Sequence, residues 1–160
     1  MGGFQRVMLG YPLLATQADM QRTVDAIMGI IPQSRKKTDA VVLMGHGTHH
    51  PSNAFYAALM FQLQLEDPNI FVGTVEGYPE IDDIKDWLLE KKIKKAYLLP
   101  FMSVAGDHAK NDMAGDEPDS WKSILTQAGI TCEAIMKGTA EYDSFVDIWV
   151  DHVNGPLSHF

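Results

Sequence analysis

Short apolar runs rich in aliphatic residues, most of them bounded by glycine or proline, recur at residues 7–10, 40–45, 70–75, 96–100 and 131–136 and read as strands. The stretches 17–31, 52–65, 81–89, 118–127 and 142–153 instead repeat apolar positions every three or four residues, the period of a helix that buries one face. The order is β-α repeated five times. Strands separated by helices of this length need right-handed crossovers, so the expected fold class is α/β, a mostly parallel sheet with helices on both faces. Thr16 and Asp19 flank the start of the first helix, Pro51, Ser52 and Asn53 open the second, and Asp116, Glu117 and Pro118 lead into the fourth. They supply caps and first-turn acids where orphaned backbone N–H groups need them. The four lysines within 91–95 read as a solvated turn between the third helix and the fourth strand.

The two ends of the chain share an outline, a strand passing through a short turn into an Asp-bearing amphipathic helix. That likeness places a seam within 34–39 and divides the chain into a terminal β-α unit at 1–35 and a larger domain at 36–160. A length of 160 residues with 46% hydrophobic and 21% charged positions fits an ordinary globular protein with a real core. A net charge of −8 argues against nucleic acid as a partner, because tracking phosphates takes clustered Lys and Arg. Cys132 is the single cysteine and lies in an apolar stretch, where it reads as a core residue. Residues 1–12 show no basic region ahead of an apolar run, Arg6 stands where a myristoylation motif wants Ser or Thr, and no apolar run is long enough to span a membrane. The expected compartment is the cytoplasm.

In an open parallel sheet, ligands bind beyond the carboxyl ends of the strands, where loops converge and helix N-termini point their donors. Three polar residues fall on that edge. His46 follows V-V-L-M-G, Glu76 follows F-V-G-T-V, and His108 lies in the loop after the fourth run. Imidazole and carboxylate together suit Co, Ni, Fe or Zn, and three protein ligands leave positions free for an incoming one. Gly45 and Gly47 let the backbone turn tightly and admit a bulky ligand near His46. His49 and His50 either extend this surface or serve as caps or solvent-exposed residues at the start of the next helix. Asp107 is the candidate acceptor that would orient the His108 ring, or else a simple loop cap. Nine methionines hint at a soft-metal surface, but Met20, Met28, Met44 and Met60 occupy core-like positions. Nucleotide, zincin, thiol-redox and serine-hydrolase motifs are all missing from the sequence.

The motifs G-H-G-T-H-H-P at 45–51, V-E-G-Y-P at 75–79, L-L-P-F-M at 98–102 and G-D-H-A-x-N-D-M at 106–113 resemble those of the anaerobic cobalt chelatases. These are the sirohydrochlorin cobaltochelatases of the class II chelatase superfamily, and the resemblance covers nearly the whole chain. It implies a flavodoxin-like, chelatase-like sheet, a tetrapyrrole substrate and a divalent metal as second substrate, Co²⁺ first, with no organic cofactor. It also implies that His46 is the general base and that Glu76 and His108 share with it in holding the metal. Family members have two such halves facing across a cleft; this sequence resembles the second half, preceded by the last β-α unit of the first.

Half-size relatives work as homodimers, so a two-fold dimer burying more than ~1,000 Å² is expected, an inactive fragment of a two-half chelatase being the other reading. A non-catalytic metal- or haem-binding module using the same histidines is the alternative function. Metal-dependent hydrolysis, which needs a bound water beside Glu76, is a third.

Overall fold

The computed structural model describes residues 7–157. The reading of residues 1–6 as free of a leader or lipid motif lies outside them. Among the described residues the first element is helix α1 (Gln17–Ile30), followed by β1 (Ala40–Gly47), α2 (Ala54–Glu66), β2 (Ile70–Glu76), α3 (Ile81–Glu90), β3 (Lys95–Pro100), α4 (Trp121–Gln127), β4 (Thr131–Ala134) and α5 (Asp143–Leu157). The four strands form one parallel sheet in the order β2-β1-β3-β4, so the fold is α/β as the periodicity implies.

Alternate residues of each strand feed opposite faces, as the pleat requires. Val42, Met44, Phe71, Ala96 and Leu98 join Ile84 and Leu88 of α3 and Trp121 and Leu125 of α4 in one apolar layer. Val41, Leu43, Ile70, Val72, Tyr97 and Leu99 pack under Val24 and Ile27 of α1, Leu59 and Leu63 of α2 and Phe145 of α5 in the other. β1 lies between β2 and β3 and is buried along Ala40–Gly45, which explains why its sequence is almost continuously apolar. Met44 is fully buried, and Met20, Met28 and Met60 pack against the second layer, so these methionines are packing residues. Cys132 sits partly buried against the first layer, and burial pushes its thiol up to about 11, which disfavours the thiolate a metal would want.

The expected strand at 7–10 does not form, and the order among the described residues is therefore one helix followed by four β-α units. A four-residue extended run gains ladder hydrogen bonds only beside another strand, and this one lies against α5 instead. A side chain at Gly10 would meet the His152 carbonyl, and the Tyr11 carbonyl accepts from His152 Nδ1 at 3.1 Å. The likeness between the two chain ends thus extends to their helices only. α1 itself is docked on the domain: His152 Nε2 reaches the buried Asp19 at 2.9 Å and Arg22 pairs with Asp151 at 2.6 Å. Its start follows the sequence reading, with a capping box between Thr16 and Asp19.

Other boundaries move as well. α4 begins at Trp121 rather than 118, because the Ser120 hydroxyl caps the Ser123 N–H while donating to the Gly115 carbonyl. β4 stops at Ala134 rather than 136, since it is an edge strand whose pairing with β3 runs out at Leu98. Among the described residues no helix is long and apolar enough to cross a membrane.

Candidate metal centre

The carboxyl ends of β1 and β2 stand in register, with Gly47 paired to Glu76. Gly47 has φ +79, and an added Cβ there would lie 2.6 Å from the Glu76 carbonyl oxygen, so only glycine lets the two strand ends come this close. Gly45 acts differently from the sequence expectation. The volume a side chain would take there is filled by the Tyr56 ring from α2, whose hydroxyl accepts from the Gly47 N–H at 3.3 Å. The small residue admits a protein side chain, and the ring then supports the turn that carries His46.

His46 emerges from this turn half exposed, its Nδ1 4.0 Å from Glu76 Oε2 and 3.2 Å from the Gly47 carbonyl. A carbonyl can only accept, so Nδ1 carries a proton in this contact, and in the neutral ring the free electron pair is then on Nε2. His108 arrives from the far side of β1, and the two imidazoles meet edge to face with ring centroids 4.9 Å apart. The three residues named from sequence therefore share one edge, with His46 in the middle. They form an open rim: among the described residues no three His, Cys, Asp or Glu side chains already surround a single ion position.

His108 does not lie in a loop. It opens a single π-helical turn, His108–Met113, which is anchored by the fully buried Ala109 and Met113. Such turns gather at functional sites, and here the turn aims His108 back over the strand ends. The partner of His108 Nδ1 is Asp112, at 2.5 Å; Asp107 sits at the start of the turn and makes no capping bond. The sequence reading chose the neighbouring acid, whereas i,i+4 spacing on a helical turn would have pointed to Asp112.

Asn53 is a second residue missed from sequence. Its Oδ1 accepts from the Thr48 N–H at 3.0 Å and its Nδ2 donates to the Tyr78 carbonyl at 2.7 Å, so one side chain ties the His46 loop to the loop after Glu76. His50 turns out to be a cap, accepting from the Ser52 N–H through Nδ1. His49 is exposed next to it. Beside the rim lies an apolar groove of about 550 Å³, lined by Leu13, Leu14, Phe55, Phe101, Met102 and Trp149 among others, with Thr48, Ser52 and Ser103 as polar groups. A concave, mostly apolar lining with a few polar groups is the usual character of a small-molecule site.

The chain is 44% identical over 156 residues to the sirohydrochlorin cobaltochelatase CbiKC of Nitratidesulfovibrio vulgaris, covering 98% of this chain and 55% of that protein. It is 38% identical over 155 residues to the sirohydrochlorin cobaltochelatase of Salmonella typhimurium, covering 97% of this chain and 58% of that one. The chain thus spans little more than half the length of the curated relatives it matches. In structure it resembles part of a multi-domain Deinococcus radiodurans protein described as having structural similarity to chelatases, with a TM-score of 0.50 at 15% identity over 82% of this chain and 28% of that one. That likeness speaks to the fold alone. The family model for cobalt chelatase (CbiK) matches residues 2–157, and the chain belongs to that family.

Proposed function

We propose that this chain supplies the metal-handling wall of a chelatase that inserts Co²⁺ into a sirohydrochlorin-type tetrapyrrole. The observation that carries the reading is the meeting of His46, Glu76 and His108 on one open edge, next to an apolar groove. The metal is a substrate, held by the three side chains while the macrocycle lies above them along the groove. Insertion exchanges one divalent cation for two pyrrole protons, so the site must bind a cation and also remove protons. Glu76 brings negative charge, and the free Nε2 of His46 can ligate or accept a proton. No redox step occurs, and no organic cofactor is required. Ni²⁺, Fe²⁺ and Zn²⁺ suit the same ligand set, and Co²⁺ is favoured because the curated relatives are cobaltochelatases.

One sheet gives one wall, and a planar macrocycle needs two. We propose that residues 1–35 correspond to the end of the family's first half and 36–160 to the second, and that a second copy of the chain closes the cleft in a two-fold dimer. The acidic surface and tetrapyrrole chemistry suit a cytoplasmic setting.

The test is turnover. Sirohydrochlorin and Co²⁺ are mixed with the chain and the pigment's absorbance is followed, while light scattering reports assembly. Insertion by a dimer supports the reading. Tight Co²⁺ binding without insertion by a dimer favours a storage or transfer module, and a monomer without insertion marks the chain as one half of a two-half enzyme.

A further inference from the structure

We propose that Asp112 is a positioning residue that holds the proton on His108 Nδ1 and so presents Nε2 to the metal. The inference rests on the reading of His108 as a metal-binding residue and deepens it. A carboxylate only accepts hydrogen bonds, so the 2.5 Å contact between Asp112 Oδ2 and His108 Nδ1 requires the proton to be on Nδ1. A neutral imidazole in water prefers its proton on Nε2, the nitrogen that must be bare here. Without an acceptor on the other side the ring would favour the wrong tautomer and would also be free to rotate. With one, the electron pair and the ring direction are both fixed before any ion arrives.

The backbone is built around this pair. His108 and Asp112 are four residues apart on one π-helical turn, and Ala109 and Met113, the same distance apart, are fully buried and pin the adjacent face of that turn in the core. Just past the turn is Gly115, where an added Cβ would lie 2.2 Å from the Asn111 carbonyl oxygen. The π closure itself is the Ala114 N–H donating to the Ala109 carbonyl at 3.1 Å; the Gly115 N–H then donates to the Asn111 carbonyl at 3.1 Å, a fold-back that needs a residue without a side chain just past the turn. Edge-to-face contact with His46 limits the remaining rotation of the His108 ring. His46 receives matching treatment from a backbone carbonyl, Gly47, so both rings are set with Nδ1 protonated and Nε2 free.

The experiment compares the whole chain with Asp112→Ala, Asp112→Asn, Asp112→Glu and His108→Ala. Tautomers are read in the metal-free protein from imidazole ¹⁵N shifts at about pH 8, above the usual histidine range. Co²⁺ affinity is read by titrating the metal alone. Expected are an Nδ1–H ring in the parent, an Nε2–H ring in Asp112→Ala, and a loss of Co²⁺ affinity of about 10- to 100-fold, the usual effect of removing an outer-shell partner. Asp112→Glu should restore part of both, and Asp112→Asn, which keeps an acceptor without the charge, should fall between. A merely structural Asp112 would leave the tautomer unmoved. An unchanged tautomer, or unchanged affinity in Asp112→Ala while His108→Ala weakens binding, overturns the proposal. Unchanged affinity in His108→Ala overturns the underlying reading instead.

Discussion

At the amino-terminal edge of the sheet, Arg35 grips Asp67 through two hydrogen bonds, the shorter 2.6 Å, with side chains only 6% and 13% exposed. At the carboxyl-terminal edge, His46 and Glu76 come no closer than 4.0 Å and are 50% and 52% exposed. Each pair brings a basic and an acidic group together, but of these two only Arg35 and Asp67 close the contact. A closed, shielded pair has satisfied its lone pairs and donors and can do little more than hold the chain. An open pair keeps its electron pairs facing solvent, available to a cation or a proton. The contrast separates charge used for stability from charge kept for chemistry, and each edge can be broken separately.

The largest effect is expected at the rim. His46→Ala should lower the insertion rate by about 10²- to 10⁴-fold, the range for losing a positioned acid-base group, and leave thermal unfolding nearly unchanged. Pigment absorbance and a melting curve on the same sample check both halves. Insertion at the parent rate would show that the open pair takes no part in chemistry.

The far edge should respond the other way. Arg35→Ala leaves Asp67 charged with little solvent around it, and a loss of about 3 kcal/mol of stability is expected with Co²⁺ affinity intact. Acid attacks the same pair. Burial pulls the Asp67 carboxyl up, but the Arg35 guanidinium and the Asn69 N–H outweigh it and hold the group below its ordinary 3.8. Asp19 is likewise held low, its burial outweighed by bonds from Thr16 and His152. A depressed carboxyl contributes stability above its unfolded pKa and loses it as pH falls through the folded one. The unfolding midpoint should therefore hold as pH drops toward about 5 and fall below about 4, with a shallower fall in Arg35→Ala. A fall beginning near neutral pH would point to other groups.

His108→Ala comes next, with Co²⁺ affinity expected to drop about 10- to 100-fold and stability to change little. An unchanged titration would remove His108 from the metal centre.

The rim was more legible in the sequence than its supports. His46, Glu76 and His108 could be placed because each follows a strand, and the carboxyl ends of parallel strands must share an edge. Of the four strands that form, β1 and β3 are legible for a similar reason: buried on both faces, they are apolar along nearly their whole length. The run at 7–10 has the same composition, but composition says nothing about whether a neighbouring strand is available to pair. Asp112 was missed because a π turn is a packing outcome of Ala109, Met113 and Gly115, with no period of its own in six residues. Asn53 was read as part of a helix start, since its two bonds go to loops whose approach depends on the register of β1 with β2.

Asn53 gives the smallest predicted effect and the sharpest test of the contrast between edges. Its side chain bonds to the Thr48 N–H and the Tyr78 carbonyl, joining the loops that follow the strand ends carrying His46 and Glu76. Each of its two hydrogen bonds should be worth about 1 kcal/mol net, so Asn53→Ala should cost about 1 to 2 kcal/mol of stability. If the open 4.0 Å spacing is held by this clamp, Co²⁺ affinity should also fall, by less than tenfold, because the ligands themselves survive and only their relative placement loosens. Asn53→Asp separates the two bonds: it keeps the acceptor for the Thr48 N–H and loses the donor to the Tyr78 carbonyl. It should preserve the His46 turn while releasing the Glu76 side, giving a smaller loss of stability and a comparable loss of affinity. Lower stability with unchanged affinity in both variants would mean that the rim is held open by its strands alone. Asn53 would then belong with Arg35 and Asp67, as polar bonding used only for stability.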